Sequence, residues 1–450
     1  MLSLITPHNP SVGDAGSTFR WTPAAVLVLA LTVRVAWGLS LPVVPLSDCM
    51  AYDLQAHNLA NGVCYGFEAS RPSAYWPVGT SAVYAALYTI FGFHYGPIVV
   101  MNILIGVATT WLVMATTRDW FGPRAALAAG LLTALWPGQI QFTTILASEL
   151  LFNLFVLLAV YVEGRNAWPA TARAVATGAS LACASYIRPL ALPLPALFWF
   201  RRLVDPQERR QGVASNTIEA AGVLLVMAVL IAPWTVRNYR TFGYPVLIST
   251  NGGANFWMGN NPESDGGYMP LPKWAEDISN EAEADRALKR AAWRFIMENP
   301  RVFFLGLFRK AFSTYSRESI GVAWNEDGLK QVFGAWILTP MKLVSALYFA
   351  GAMLAAFAGA YLARRGRSFL AWATLPPVML WAFFAAIHIV IVGGDRYHYP
   401  SLPMIASLAG LGLVAQAVDR RSTKSDQTAV GSPTFLSALR STSDAGRFGG

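Results

Sequence analysis

The sequence predicts an all-α integral membrane protein. Three observations carry this. Of its 450 residues 54% are hydrophobic and only 13% charged, where soluble domains run near a quarter charged. The mean hydropathy is +0.41. The basic residues sit in short loops between apolar runs, which is how membrane helices are oriented. The net charge of +9 and pI near 9.5 are therefore assigned to membrane lipids rather than nucleic acid, as a cationic rim beside anionic headgroups.

Residues 1–22 are polar and are expected to form a cytoplasmic tail. No small-residue cleavage site follows the first apolar run, so no cleaved signal peptide is expected. That run, about 23–41, is long enough to span a bilayer. It contains Arg34, which is costly there and either snorkels to the nearer interface or reaches a lipid phosphate. A long polar loop follows, 42–96, holding Asp48, Asp53, Glu68, Arg71 and several aromatics. Within it 80–91 is apolar but short, which favours a surface helix over a span. Charge agrees: only if this stretch stays outside do Arg118, Arg124, Arg201, Arg202, Arg209 and Arg210 fall inside.

The remaining spans are 97–116, 125–137, 149–162, 173–187, 189–200, 218–233, 335–363, 369–391 and 400–417, about ten with the first. Their short basic connections alternate as the positive-inside rule requires, and the outer loop near 139–148 has no Lys or Arg. The chain thus divides into the tail 1–22, a transmembrane module 23–233, an extracytoplasmic loop 234–334, C-terminal helices 335–418 and a disordered tail 419–450. The second long loop opens with turn-rich, aromatic sequence from Pro233, then shows an amphipathic helix over 282–298 and a second surface helix over 301–316.

Three cysteines make neither a disulfide framework nor a metal cluster. Cys49 and Cys64 share the first loop, where pairing stays open, and Cys183 reads as packing in an apolar helix. A divalent metal is open, but no cluster of ligands in the sequence supports one.

The first loop has chemistry of its own. A carboxylate just past a membrane exit can act as general base for an incoming hydroxyl. An arginine further along the loop can hold a phosphate by charge-assisted hydrogen bonds. Nearby aromatics can stack on a sugar or isoprenoid. The order Asp48, Tyr52, Ala60-Asn61-Gly62, Arg71-Pro72 and Tyr75-Trp76-Pro77-Val78-Gly79 resembles the polyprenyl-phosphate-dependent glycosyltransferases of the GT-C superfamily. The resembling branch is the bacterial relatives of protein O-mannosyltransferases and of the aminoarabinose and galacturonosyl transferases. The resemblance continues at Ser148-Glu149, Arg188-Pro189, Pro233 to Tyr239, Ser249 to Asn255, Gly259 to Pro262 and Arg396-Tyr397. A single acid at Asp48, where the mannosyltransferases carry two adjacent ones, and Val78 are departures.

The resemblance implies a GT-C-like fold with flat interfacial helices in two long extracytoplasmic loops. It implies an inverting transfer from a polyprenyl-phosphate sugar donor to a lipid, glycan or protein acceptor, outside the cytoplasmic membrane. Asp48 is the expected base, against a helix-capping role. Glu149 is either a second acid or a helix N-terminal charge that favours the macrodipole. Arg71 is the leading phosphate ligand, with Arg237 and Arg396 as helpers. Asp53, Tyr75, Trp76, Asn251 and His398 complete the candidate binding set, although interfacial aromatics, turn chemistry at Asn251 and a satisfied core histidine at His398 account for the same residues blandly. The rival class is a transporter or flippase of lipid-linked sugars, which would place ionisable residues mid-membrane and show repeated halves. Apart from Arg34 and His388 the spans are nearly free of them.

Overall fold

The computed structural model describes residues 22–68, 70–205 and 212–415. The expected tails, except Thr22, and the loop arginines Arg209 and Arg210 lie outside the described residues. Every regular element among the described residues is a helix, and one isolated bridge joins Glu68 to Arg71.

The first apolar run forms α1 (Pro23–Ser40), started by proline and capped by the Thr22 hydroxyl. α2 (Asp48–Ala60) and α3 (Val78–Phe91) carry the first loop. At 14 residues α3 is about 21 Å long, short of the ~30 Å hydrocarbon core. Its start lies hard against the helix Ala170–Ile187: a Cβ on Gly79 would sit 2.7 Å from the Tyr186 backbone. α4 (Gly96–Phe121) runs antiparallel to α1, since Val26 clusters with Met114, Arg34 lies on Gly106 and Gly38 on Val99. Asp48 and Arg118 therefore stand at opposite ends of the bundle.

α5 (Pro123–Leu135) gives way to α6 (Pro137–Gln141) and a 3-10 turn, Phe142–Thr144; α7 (Glu149–Glu163) follows at a bend of 120°. The sequence places an outer loop at 139–148. The structure buries it instead, and side chains satisfy its backbone as a buried loop requires. Asn102 reaches the Thr143 and Ile145 carbonyls, Tyr84 that of Ala147, and Asn325 that of Gln141.

Arg34 takes neither of its expected roles. It is fully buried, and its guanidinium donates to the carbonyls of Ala30, Thr133 and Ala134. The last two are carbonyls at the end of α5, left without helical donors where Pro137 follows.

α8 (Ala170–Ile187), α9 (Leu194–Val204) and α10 (Val213–Phe242) complete the first module. The helix does not stop at Pro233: it continues to Phe242 and ends at Gly243, φ +73°. Pro233-Trp234-Thr235-Val236-Arg237-Asn238-Tyr239 is thus helical and not the opening of a loop, and only the Val229 carbonyl loses its donor. Four charges lock the far ends of α7 to α10. Arg173 is bidentate on Glu219 at 2.5 and 2.6 Å, and Arg202 is bidentate on Glu163 at 2.6 Å and also reaches Glu219.

The second loop folds into α11 (Gly252–Met258), α12 (Lys273–Glu276), α13 (Glu281–Glu298), α14 (Pro300–Tyr315), α15 (Ile320–Ala323) and α16 (Glu326–Phe333). α17 (Leu338–Arg364), α18 (Phe369–Ala373), α19 (Pro376–Val390) and α20 (Tyr399–Ala415) close the chain. Among the described residues 4 helices are long and apolar enough to cross a membrane, or 5 with the bent pair Pro137–Thr144 and Glu149–Glu163. Other apolar helices, such as α5 and α19, are only 13 and 15 residues long, because prolines break the runs that read as single spans.

α13 and α14 match the two expected surface helices within a residue. α14 is anchored by Lys310, fully buried, whose ammonium donates to the carbonyls of Gly259 (3.2 Å) and Val390 (2.9 Å) and to Asn260 Oδ1 (2.9 Å). Burial, with no carboxylate in partnership, pushes Lys310 down to about 8. Unfolded lysine titrates near 10.4, so between these values the unfolded chain binds more protons and stability rises with pH. Lys310→Met is expected to abolish that rise. Thermal unfolding of wild type and variant from pH 7.5 to 9.5 checks it; parallel curves would refute it.

Candidate active site

A cavity of about 1060 Å³ opens between the two long loops and the stretch before α20. Asp48 stands on it as the first residue of α2. The preceding Ser47 has φ +56°, the one non-glycine positive φ among the described residues, a conformation that costs roughly 1–3 kcal/mol and is often kept where it aims a functional group. Asp48 Oδ2 accepts a hydrogen bond from Arg396 in an ion pair that leaves Oδ1 outside it. Arg396 is stacked on Trp324 and Tyr397, with ring centroids at 5.2 and 5.1 Å. Burial lowers the Arg396 pKa, but the Asp48 carboxylate outweighs it, so the guanidinium is held firmly charged. Burial, and then the Asp48 charge, raises the Tyr75 hydroxyl to about 12.

Arg71 lines the cavity from the tip of a tight turn in which Ser73 N bonds Tyr65 O at 2.8 Å, and it donates to Ser279 O at 3.3 Å. Only glycine fits at position 66 inside that turn, where a Cβ would lie 2.2 Å from Arg71 O. Tyr75, Trp76 and Asn251 also line the cavity.

The other sequence candidates lie elsewhere. Arg237 grips the turn from behind, donating to Ser73 O at 2.8 Å and Tyr65 O at 3.3 Å while stacked on Trp234. Asp53 accepts from the Tyr88 hydroxyl and from the Tyr95 hydroxyl at 3.0 Å, tying α2 to α3. Glu149 is buried and paired with Arg188, which also donates to Ser148 Oγ at 2.9 Å. His398 is fully buried; its Nδ1 bonds Thr314 O at 2.8 Å and its Nε2 lies 3.4 Å from Glu318.

The Asn-Gly stretch from Asn251 to Asn261 is mostly packing. A Cβ on Gly253 would meet Asp285 O at 2.0 Å, and one on Gly259 would meet Ile391 O at 1.9 Å. Asn260 spends its amide on the Phe256, Val390 and Ile391 carbonyls. No disulfide joins Cys49 and Cys64, and Cys183 is exposed rather than packed.

Glu68, Glu281, Arg317 and Asp395 also line the cavity, unforeseen from sequence because loop charges read as solvated surface. Asp395 accepts from Ser319 N and Oγ at 3.0 and 2.6 Å, and Glu281 from Ala74 N at 2.9 Å. Among the described residues no group of three or more His, Cys, Asp or Glu side chains is placed to hold a metal ion. Asp48 is paired with Arg396 and Glu149 with Arg188.

The family model of dolichyl-phosphate-mannose-protein mannosyltransferase matches residues 76–236. The archaeal oligosaccharyltransferase AglB from Archaeoglobus fulgidus, solved with an inhibitory peptide and a dolichol-phosphate, superposes with TM-score 0.51 at 15% identity, over 91% of this chain and 52% of that chain. The oligosaccharyltransferase of Archaeoglobus fulgidus in the apo form gives TM-score 0.53 at 14% identity, over 92% and 52%. ArnT from Cupriavidus metallidurans, bound to undecaprenyl phosphate, gives TM-score 0.43 at 14% identity, over 90% and 79%. The chain spans about half the length of the oligosaccharyltransferases it matches. No curated protein matches it in sequence. The fold is the one seen in the matched oligosaccharyltransferases.

Proposed function

We propose that this GT-C chain is a membrane glycosyltransferase that moves a sugar from a polyprenyl-phosphate donor to a hydroxyl or phosphate acceptor at the outer face of the cytoplasmic membrane. The observation that carries this is the Asp48–Arg396 pair on the wall of a cavity that also presents Arg71 and Arg317. Asp48 takes the acceptor proton as the acceptor oxygen bonds to the anomeric carbon. The bond from that carbon to the phosphate oxygen breaks, and its electron pair leaves with polyprenyl phosphate. One direct displacement inverts the anomeric centre. Guanidinium groups already in place stabilise the growing phosphate charge, a term whose loss typically slows such reactions 10²–10³-fold. Tyr75 and Trp76 supply faces on which a sugar ring can stack. Arg237, Asp53 and Glu149 act by holding the loop, α2 and α7 in position. The matched oligosaccharyltransferase solved with a dolichol-phosphate supports a lipid-phosphate donor.

Mass spectrometry of lipids and glycans from cells with and without the gene tests the reading: one class of molecule should lose a sugar. Identical profiles, together with no transfer by the purified protein from polyprenyl-phosphate sugars, would reject it. Sidedness has its own test. A reporter fused near residue 120, at the opposite end of the bundle from Asp48, should read cytoplasmic; an exterior reading would reverse the topology.

A further inference from the structure

α14 is two-faced. One side, with Lys310 and Thr314 fully buried, packs toward α19. The other presents Phe304, Leu305, Phe308 and Phe312 at 61, 63, 75 and 75% exposure, a stripe at helical spacing. At 16 residues the helix is about 24 Å long, enough for several isoprene units in a row.

The stripe ends at Phe312, one residue short of the cavity lining. Ser313, next to Phe312, lines the cavity, and so does Arg317, just past the end of α14. Arg317 is exposed, and among the described residues it has no ion-pair or hydrogen-bond partner. Arg396 is committed to Asp48, and Arg71 comes from the first loop. An uncommitted guanidinium at the cavity end of an exposed apolar track suits one chemistry, an anionic head on a long hydrocarbon chain. A bilayer phospholipid could cover the same stripe; what favours the donor is that Arg317 also lines the cavity that holds Asp48.

We propose that α14 is the docking track of the donor lipid, with Leu305, Phe308 and Phe312 taking the isoprene units nearest the head and Arg317 taking the phosphate; this rests on the glycosyltransferase reading above. The carrier then enters along α14 and presents its sugar–phosphate bond toward Asp48.

The test is photo-crosslinking of the purified full chain in nanodiscs with a diazirine-bearing polyprenyl phosphate. The label should map to 301–317 and be displaced by undecaprenyl phosphate but not by undecaprenol. Arg317→Gln should weaken binding roughly tenfold or more, the loss expected for a charge-assisted hydrogen bond, and Phe308→Asp should remove the label while Phe308→Leu retains it. Label mapping elsewhere, unchanged affinity in Arg317→Gln, or equal uncompeted labelling by a diazirine phosphatidylcholine (bilayer contact alone) would overturn the track. In each of those cases the wild-type chain still binds polyprenyl phosphate, so the enzyme reading survives. A wild-type chain that binds no polyprenyl phosphate at all overturns both.

Discussion

Asp48→Asn is expected to lower kcat by 10²–10⁴-fold, the usual contribution of a positioned general base. The amide keeps the size of the carboxylate and can still accept a hydrogen bond from Arg396, but it cannot take a proton. Arg396 also retains its stacking on Trp324 and Tyr397, so the cavity wall should stand. The variant should therefore insert and unfold close to wild type while transfer collapses. A full wild-type rate would remove Asp48 from the chemistry. Simultaneous loss of folding would instead show that the Asp48–Arg396 pair is structural, which thermal unfolding of the purified variant distinguishes.

Glu219→Ala is expected to destabilise the fold by about 3–5 kcal/mol, the range for stranding a buried partner charge. Glu219 holds Arg173 through both carboxylate oxygens and shares Arg202 with Glu163. All four side chains are almost fully buried. Removing Glu219 strands Arg173, whose other contacts with Arg165 O and Asn166 Oδ1 are long, at 3.4 and 3.5 Å. α10 would then lose its polar tie to α8 and α9. The measurement is the unfolding temperature in detergent together with the yield of inserted protein. Glu219→Gln, which keeps the acceptor but not the charge, should fall between. Wild-type stability of the alanine variant would show that water reaches the cluster.

The legible part of the site was the part written in contiguous sequence. Asp48, Arg71, Tyr75 and Trp76 share one loop and line one cavity. Glu149 and His398 were candidates too, yet neither lines the cavity, and each is buried against a partner far along the chain, Arg188 and Glu318 respectively. Arg317 lay in an unremarked charged stretch and gained meaning only when α14 delivered it to the cavity. The stretch Pro233 to Tyr239 read as a loop because proline usually ends a helix; continuing the helix leaves a single carbonyl without its donor.

From sequence alone came the helical membrane class, the two polar loops that enclose the cavity and the extents of α13 and α14. These depend on local quantities: run length, apolar periodicity and the distribution of charge along the chain. Tertiary structure alone decided that Asp48 meets Arg396, 348 positions away, that the stretch around 139–148 is interior, and that Arg34 satisfies the carbonyls at a broken helix end. Such partnerships arise from the burial of unpaired donors and charges, which must find a counterpart wherever packing brings one, and sequence spacing carries no record of that choice.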